Sequence, residues 1–169
     1  LAELLGHAAA SSMIVGRALE NGQRPVFDDG DEVVREGDDG LPVELMVGDH
    51  SGAFGEYQLP LTTFADYYAR PANTRDRFMP DARGFATAYL DAFRDQFLHI
   101  QGDYRKRRRA FDTLFKHCKY DPAGSLAYRW ECVLRRLDQT NPYALVEAIR
   151  QHIRVLNRET PMPSGGVKA

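Results

Sequence analysis

FATAYLDAFRDQFLHIQGDYRKRRRAFDTLF, Phe85 to Phe115, is the stretch whose reading decides the fold. Phe85, Tyr89, Phe93, Phe97, Ile100, Tyr104, Phe111 and Phe115 return to one side of a cylinder with a period near ~3.6 residues. That is the pattern of a long helix with one aromatic face. At a rise of ~1.5 Å per residue it reaches about 50 Å. Asp81 is its candidate N-cap. Gly102-Asp103 is where a kink or break is expected.

Downstream, two further helices are marked by their starts. Asp121-Pro122 opens one, with Leu126, Trp130, Val133, Leu134 and Leu137 inward. Asn141-Pro142 opens the other, with Leu145, Val146, Ile149, Ile153 and Leu156 inward. An Asp or Asn cap followed by proline is a start signal with a mechanism, because proline needs no N–H at the first helical position.

Upstream, Thr62 or Thr63 is predicted to cap FADYYA, which Pro71 ends, and a loop follows through Pro80. PVFDDGDEVVRE and LPVELMV are Val-rich runs parted by GDDG, which predicts a β-hairpin. A turn at Asp28-Asp29-Gly30 would add a third strand. Residues 2–20 read as a helix with Leu4, Leu5, Ala8, Ser12, Val15 and Leu19 inward and a stop at Asn21-Gly22. Its HAAASS segment is small enough for close packing. The expected class is α+β and mostly α-helical: a small β-hairpin in the N-terminal third, then a helical bundle. One domain is expected over residues 1–160, with a flexible tail at 161–169.

The 169 residues suffice for one domain with a core, and 43% hydrophobic and 27% charged residues suit a globular chain. A net charge of −2 excludes a protein coated in positive charge, so nucleic acid is not the favoured partner and would need a local patch. No apolar run reaches membrane-spanning length, and no membrane partner is expected. Cys118 and Cys132 make no disulfide framework, which points to a reducing compartment and a cytoplasmic location, although helical positions could place the two near enough for one bridge. The chain starts at Leu1 inside a helical pattern, so a fragment or processed chain is expected.

Three clusters carry chemistry. The run Tyr104-Arg105-Lys106-Arg107-Arg108-Arg109 spreads five cations around a helix, where they can meet phosphates or simply face solvent beside Asp103 and Asp112. Arg108 falls on the aromatic stripe, four after Tyr104 and three before Phe111, so it must snorkel or meet an acid or phosphate. Arg107 and Arg108 are therefore the candidate anion- or partner-binding residues. Asp28, Asp29, Asp31 and Glu32 are acidic but lack the spacing of an EF-hand loop. His7, His50, His99, His117 and His152 are scattered, and His117-Cys118 with Cys132 is no zinc pattern.

The apolar strand before MVGDHSGAFGEY ends at Gly48-Asp49-His50-Ser51-Gly52. Glycines beside an acid suit a turn, and they also leave room for a metal-held phosphate. A Val-rich hairpin, a strand ending Asp-x-x-Gly-x-Phe at Asp49–Phe54, and then only helices resembles the C-terminal lobe of the protein-kinase-like superfamily. The lipid-kinase and atypical branches are the nearest to it. The likeness covers about residues 1–60. It implies Asn21 and Asp49 as ligands of Mg²⁺ and of the phosphates of ATP. GRALENGQ lacks the Asp that the family uses as catalytic base, and the Asn21–Asp49 gap is wide. The resemblance thus implies a phosphotransferase lobe, inactive alone and completed by an N-terminal lobe or another chain. The other expectation is a non-enzymatic helical module whose basic helix binds a protein or nucleic acid.

Overall fold

A computed structural model describes residues 1–16, 32–47, 54–55, 60–72, 82–116 and 125–159. Helix α1 spans Ala2–Val15, strands β1 and β2 span Glu32–Glu36 and Pro42–Val47, and α2 spans Ala65–Ala69. Helices α3, α4 and α5 follow at Ala82–Lys116, Ser125–Gln139 and Pro142–Glu159. Among the described residues the chain is α+β and mostly helical, with one small antiparallel hairpin between α1 and the later helices.

The aromatic stripe forms one unbroken helix of 35 residues, so the break expected at Gly102-Asp103 is absent. Gln101 and Tyr104, on either side of it, are both buried and hold the helix to its neighbours. Tyr89, Phe93 and Phe97 have no exposed surface. Phe93 stacks on Phe97 at 6.4 Å and meets Tyr68 of α2 edge-on at 6.1 Å. The buried Tyr89 hydroxyl donates to the Tyr68 carbonyl at 2.8 Å, so no polar atom of that ring is wasted.

Helix α1 lies chiefly against α3. Its buried face is Leu5, Gly6, Ala9, Ala10, Ser12, Met13 and Ile14, which includes the predicted Leu5 and Ser12, whereas the predicted Leu4, Ala8 and Val15 are half-buried and Leu19 lies outside the described residues. The small side chains decide this phase, because they let the two backbones approach. A methyl at Gly6 would overlap the Tyr89 carbonyl oxygen and lie 2.9 Å from Ala92 Cβ. The helix also stops earlier than predicted. Gly16 takes a left-handed conformation, φ 75, and its N–H returns to the Met13 carbonyl.

The hairpin pairs Val34 with Leu45 and Arg35 with Glu44, whose side chains meet at 2.7 Å. Its turn closes through Gly37 and Leu41, Asp39 accepts the Leu41 N–H, and Gly40 supplies φ 73. Leu45 reaches the core, while Leu41 and Val43 are exposed. Any strand at residues 25–31 lies outside the described residues.

The predicted threonine cap before α2 is replaced by a 3-10 turn at Leu61–Phe64. Thr63 donates its hydroxyl to the Pro60 carbonyl and so does not accept a helix N–H. Pro71 sits inside a second such turn, Arg70–Ala72. By contrast, Asn141 caps α5 as predicted: its Oδ1 accepts the N–H groups of Tyr143 at 2.9 Å and Ala144 at 3.3 Å. Leu145, Val146, Ile149 and Ile153 are buried against α2 and α3, and Leu134 and Leu156 are half-buried. The expected caps Asp81 and Asp121, and the tail 161–169, lie outside the described residues.

Phe97→Ala should cost about 3–5 kcal/mol in chemical denaturation, the range for an emptied aromatic site. Gly6→Ala should cost about 1–3 kcal/mol despite its better helix propensity, because the added methyl has no space. A stabilised Gly6→Ala would show that α1 and α3 are not in close contact.

Candidate functional site

Beyond Tyr104 the character of α3 changes. Residues 105–110 are all exposed, and six residues wind through more than one full turn. The helix therefore presents Arg105, Lys106, Arg107, Arg108 and Arg109 on its whole circumference. Among the described residues only Arg108 of these five has acidic partners. It stands 4.0 Å from Asp112 on its own helix and 4.0 Å from Asp138 on α4. Its guanidinium lies 5.8 Å from the centre of the Tyr104 ring.

The stripe position of Arg108 thus finds two carboxylates while most of its side chain stays in solvent. Arg107 shares the exposed turn and carries no ion pair among the described residues. The structure so divides the run into one offset cation and four whose charges face outward.

Beneath Arg108, Tyr104 is buried, and its hydroxyl oxygen has no hydrogen-bond partner among the described residues. Burial pushes the phenol above its ordinary pKa, Asp138 and Asp112 push it the same way, and Arg108 opposes them. One turn earlier, Gln101 donates to the carbonyls of Leu137 at 2.7 Å and Thr140 at 3.0 Å, which joins α3 to the end of α4. Phe111 packs on Trp130 with ring centres 5.6 Å apart. The basic turn is therefore fixed at both ends.

Arg136 is a second feature, one that periodicity did not single out. It is fully buried. Its Nε donates to the Ile14 carbonyl at 2.9 Å and its Nη1 to the Gly55 carbonyl at 2.7 Å. Phe54 and Gly55 donate their N–H groups to the carbonyls of Val15 and Gly16. The guanidinium thereby ties the exit of α1 to residues 54–55, where the chain returns from the hairpin. Phe54 is held there at φ 64, a conformation costing about 1–2 kcal/mol for a side chain with a Cβ. A signal for Arg136 was present: Cys132, Val133, Arg136 and Leu137 form two i, i+4 pairs, and all four are buried.

A shallow groove of about 650 Å³ runs between α1 and α3, with Glu3, His7, Asp91 and Asp95 on its walls. Asp91 and Asp95 both hold Arg94, at 2.9 Å each. No group of three or more His, Cys, Asp or Glu side chains is placed to hold a metal among the described residues. Asn21, Asp49, His50, His117, Cys118 and the acids at 28, 29 and 31 lie outside the described residues. His99 and His152 are exposed, and Cys132 is buried. No helix among the described residues is long and apolar enough to cross a membrane.

No protein-family model matches this chain, and neither a curated protein nor a solved structure was found to be similar to it.

Arg136→Met should cost about 2–4 kcal/mol, since it leaves two buried carbonyls without donors. Arg136→Lys should recover only part of that, because one ammonium lacks the forked reach of guanidinium. Tyr104 predicts a pH dependence of a definite sign. Below about pH 10 the phenol is protonated in both folded and unfolded chains. Above it the unfolded chain loses its proton first, so stability falls as pH rises towards the folded pKa. Urea midpoints taken from about pH 9 to 11 should fall less steeply in Tyr104→Phe.

Proposed function

We propose that this chain is a helical interaction module that binds a polyanionic partner through the exposed basic turn of α3. The observation that carries this reading is the exposure of all six residues 105–110, with four of the five cations unpaired among the described residues. A structural role for these cations would place acids against them. Among the described residues the only acids paired to the run, Asp112 and Asp138, are taken up by Arg108. Rigid support from Gln101 below and Phe111 above means that little ordering is lost when an anion docks.

The test is retention on immobilised heparin. The wild-type chain should elute at a salt concentration well above that of a variant carrying Arg107→Glu and Arg109→Glu, with unfolding midpoints unchanged. Equal elution of the two removes the basic turn as the contact. Arg108→Ala should weaken retention less than Arg107→Ala, because its charge is already offset by two carboxylates.

A second reading keeps the phosphotransferase-like lobe, and the Arg136 tie supports it. The segment carrying Asn21 and Asp49 leaves and rejoins the bundle at one tied point, which is what a phosphate-binding loop needs from its scaffold. On this reading Asp49 holds Mg²⁺ and Asn21 assists it. Thermal stability of the wild type should then rise with Mg²⁺ and ATP, by about 2.7 kcal/mol at a hundredfold excess over Kd, and Asp49→Asn should lose the rise. No shift in the wild type removes a Mg²⁺–ATP site from this chain.

A further inference from the structure

Six positions of α3 form one line along its outer side. Asp91, Asp95, Leu98, Gly102, Arg105 and Arg109 follow one another at spacings of four, three, four, three and four residues. At about 100° per residue they fall within an arc of about 80°, on the side opposite the buried Tyr89 and Phe93. None of the six is buried. Alternating threes and fours make the seam of a helix pair. Asp91, Leu98 and Arg105 take one of its two kinds of position, and Asp95, Gly102 and Arg109 take the other.

The line is its own complement. One end is acidic: Arg94 takes Oδ1 of both Asp91 and Asp95, but two carboxylates outweigh one guanidinium, and Glu3 lines the same groove. The other end is basic. A two-fold axis at residue 100 exchanges 91 with 109, 95 with 105 and 98 with 102. Each exchange joins the two kinds of seam position, as antiparallel helices require, and each is chemically matched. Aspartate meets arginine in two of them, and Leu98 meets Gly102 in the third. Glycine is a poor helix former, and a Cβ at 102 has nothing within 4 Å, so no packing among the described residues demands it. Across a pair it is the hole that receives the Leu98 knob. A polyanion is repelled at Asp91 and Asp95, and a polycation at Arg105 and Arg109. A second copy turned end for end carries the required charges in the required order.

We infer that this face pairs two copies of the chain, α3 against α3 and antiparallel about residue 100, with Asp91 and Asp95 of each copy on Arg109 and Arg105 of the other. The inference goes beyond the polyanion reading and does not rest on it, because Arg107 lies about 160° round the helix from the middle of the seam and stays outside it. Such a contact uses the same patch on both copies and closes at two.

Sedimentation equilibrium of the 169-residue chain at about 0.1 mM and low salt tests the pairing. The expected mass is twice the 19.1 kDa of one chain, falling towards one chain as salt screens the ion pairs. A variant with Asp91→Lys and Asp95→Lys, and another with Arg105→Glu and Arg109→Glu, should each pair at least about tenfold more weakly, because like charges then face each other. Mixed in equal amounts, the two variants should recover the wild-type mass, since every facing charge is again opposite. Gly102→Leu should fill the hole and weaken pairing about tenfold. All these positions lie at the surface, and helical circular dichroism checks that each variant folds. A wild-type mass of 19.1 kDa under these conditions overturns the inference. So does a mass above two copies, which a head-to-tail contact would give. Undiminished pairing in both charge variants, or folded variants that stay monomeric when mixed, overturns it as well.

Discussion

Arg136 carries a positive charge to a place without solvent, and most of the architecture follows from how that charge is satisfied. Its guanidinium meets the carbonyl of Ile14 at the C-terminal end of α1, where the helix dipole concentrates negative potential, and the carbonyl of Gly55. Such a cation is tolerated only while every one of its oriented acceptors stays in place. α1 must therefore end where it does, the returning chain must pass at Gly55, and α4 must lie close enough to deliver the side chain. Gly16 belongs to the same arrangement: a Cβ there would lie 2.8 Å from Gly55 N and 3.0 Å from Arg136 Nη2. Glycine is the one residue that both adopts φ 75 without strain and leaves room for the guanidinium.

The long helices were legible because one periodicity runs through them and because Asn141-Pro142 has a local mechanism that tertiary contacts do not override. The hairpin was legible from Val-rich runs around GDDG. What escaped the sequence was set by residues distant in the chain. The end of α1 depends on Arg136, more than a hundred residues away, and so Gly16 looked unremarkable beside the stronger stop signal Asn21-Gly22. The periodicity of α1 marks Leu5 and Ser12 as inward, but close contact with α3 turns Gly6, Ala9 and Ala10 further in than Leu4, Ala8 and Val15. Thr62 and Thr63 have the right chemistry for caps, but a 3-10 turn gives the Thr63 hydroxyl the Pro60 carbonyl to donate to.

The candidate site was legible in part for a similar reason. Arg108 stood out because its position broke the aromatic stripe, and its two carboxylates explain how the helix accommodates it. That Asp138 would be one of them required the α3–α4 crossing, which no local pattern encodes. The contrast between Arg108 and its neighbours then comes from geometry: Arg108 reaches a carboxylate on α4, and among the described residues the other four cations reach none.

The tie at Gly16 and Gly55 also has a consequence for how the chain can vary. A segment whose two ends are already fastened together is a closed loop, and the entropy of closing a loop rises only logarithmically with its length. Doubling the stretch between Gly16 and Phe54 would cost on the order of 0.6 kcal/mol in closure entropy. Leu45 of β2 still packs on the core, so the hairpin itself is held. Insertions elsewhere in the closed stretch are accommodated far more cheaply than along α3, which makes this the place where the scaffold can acquire new loops.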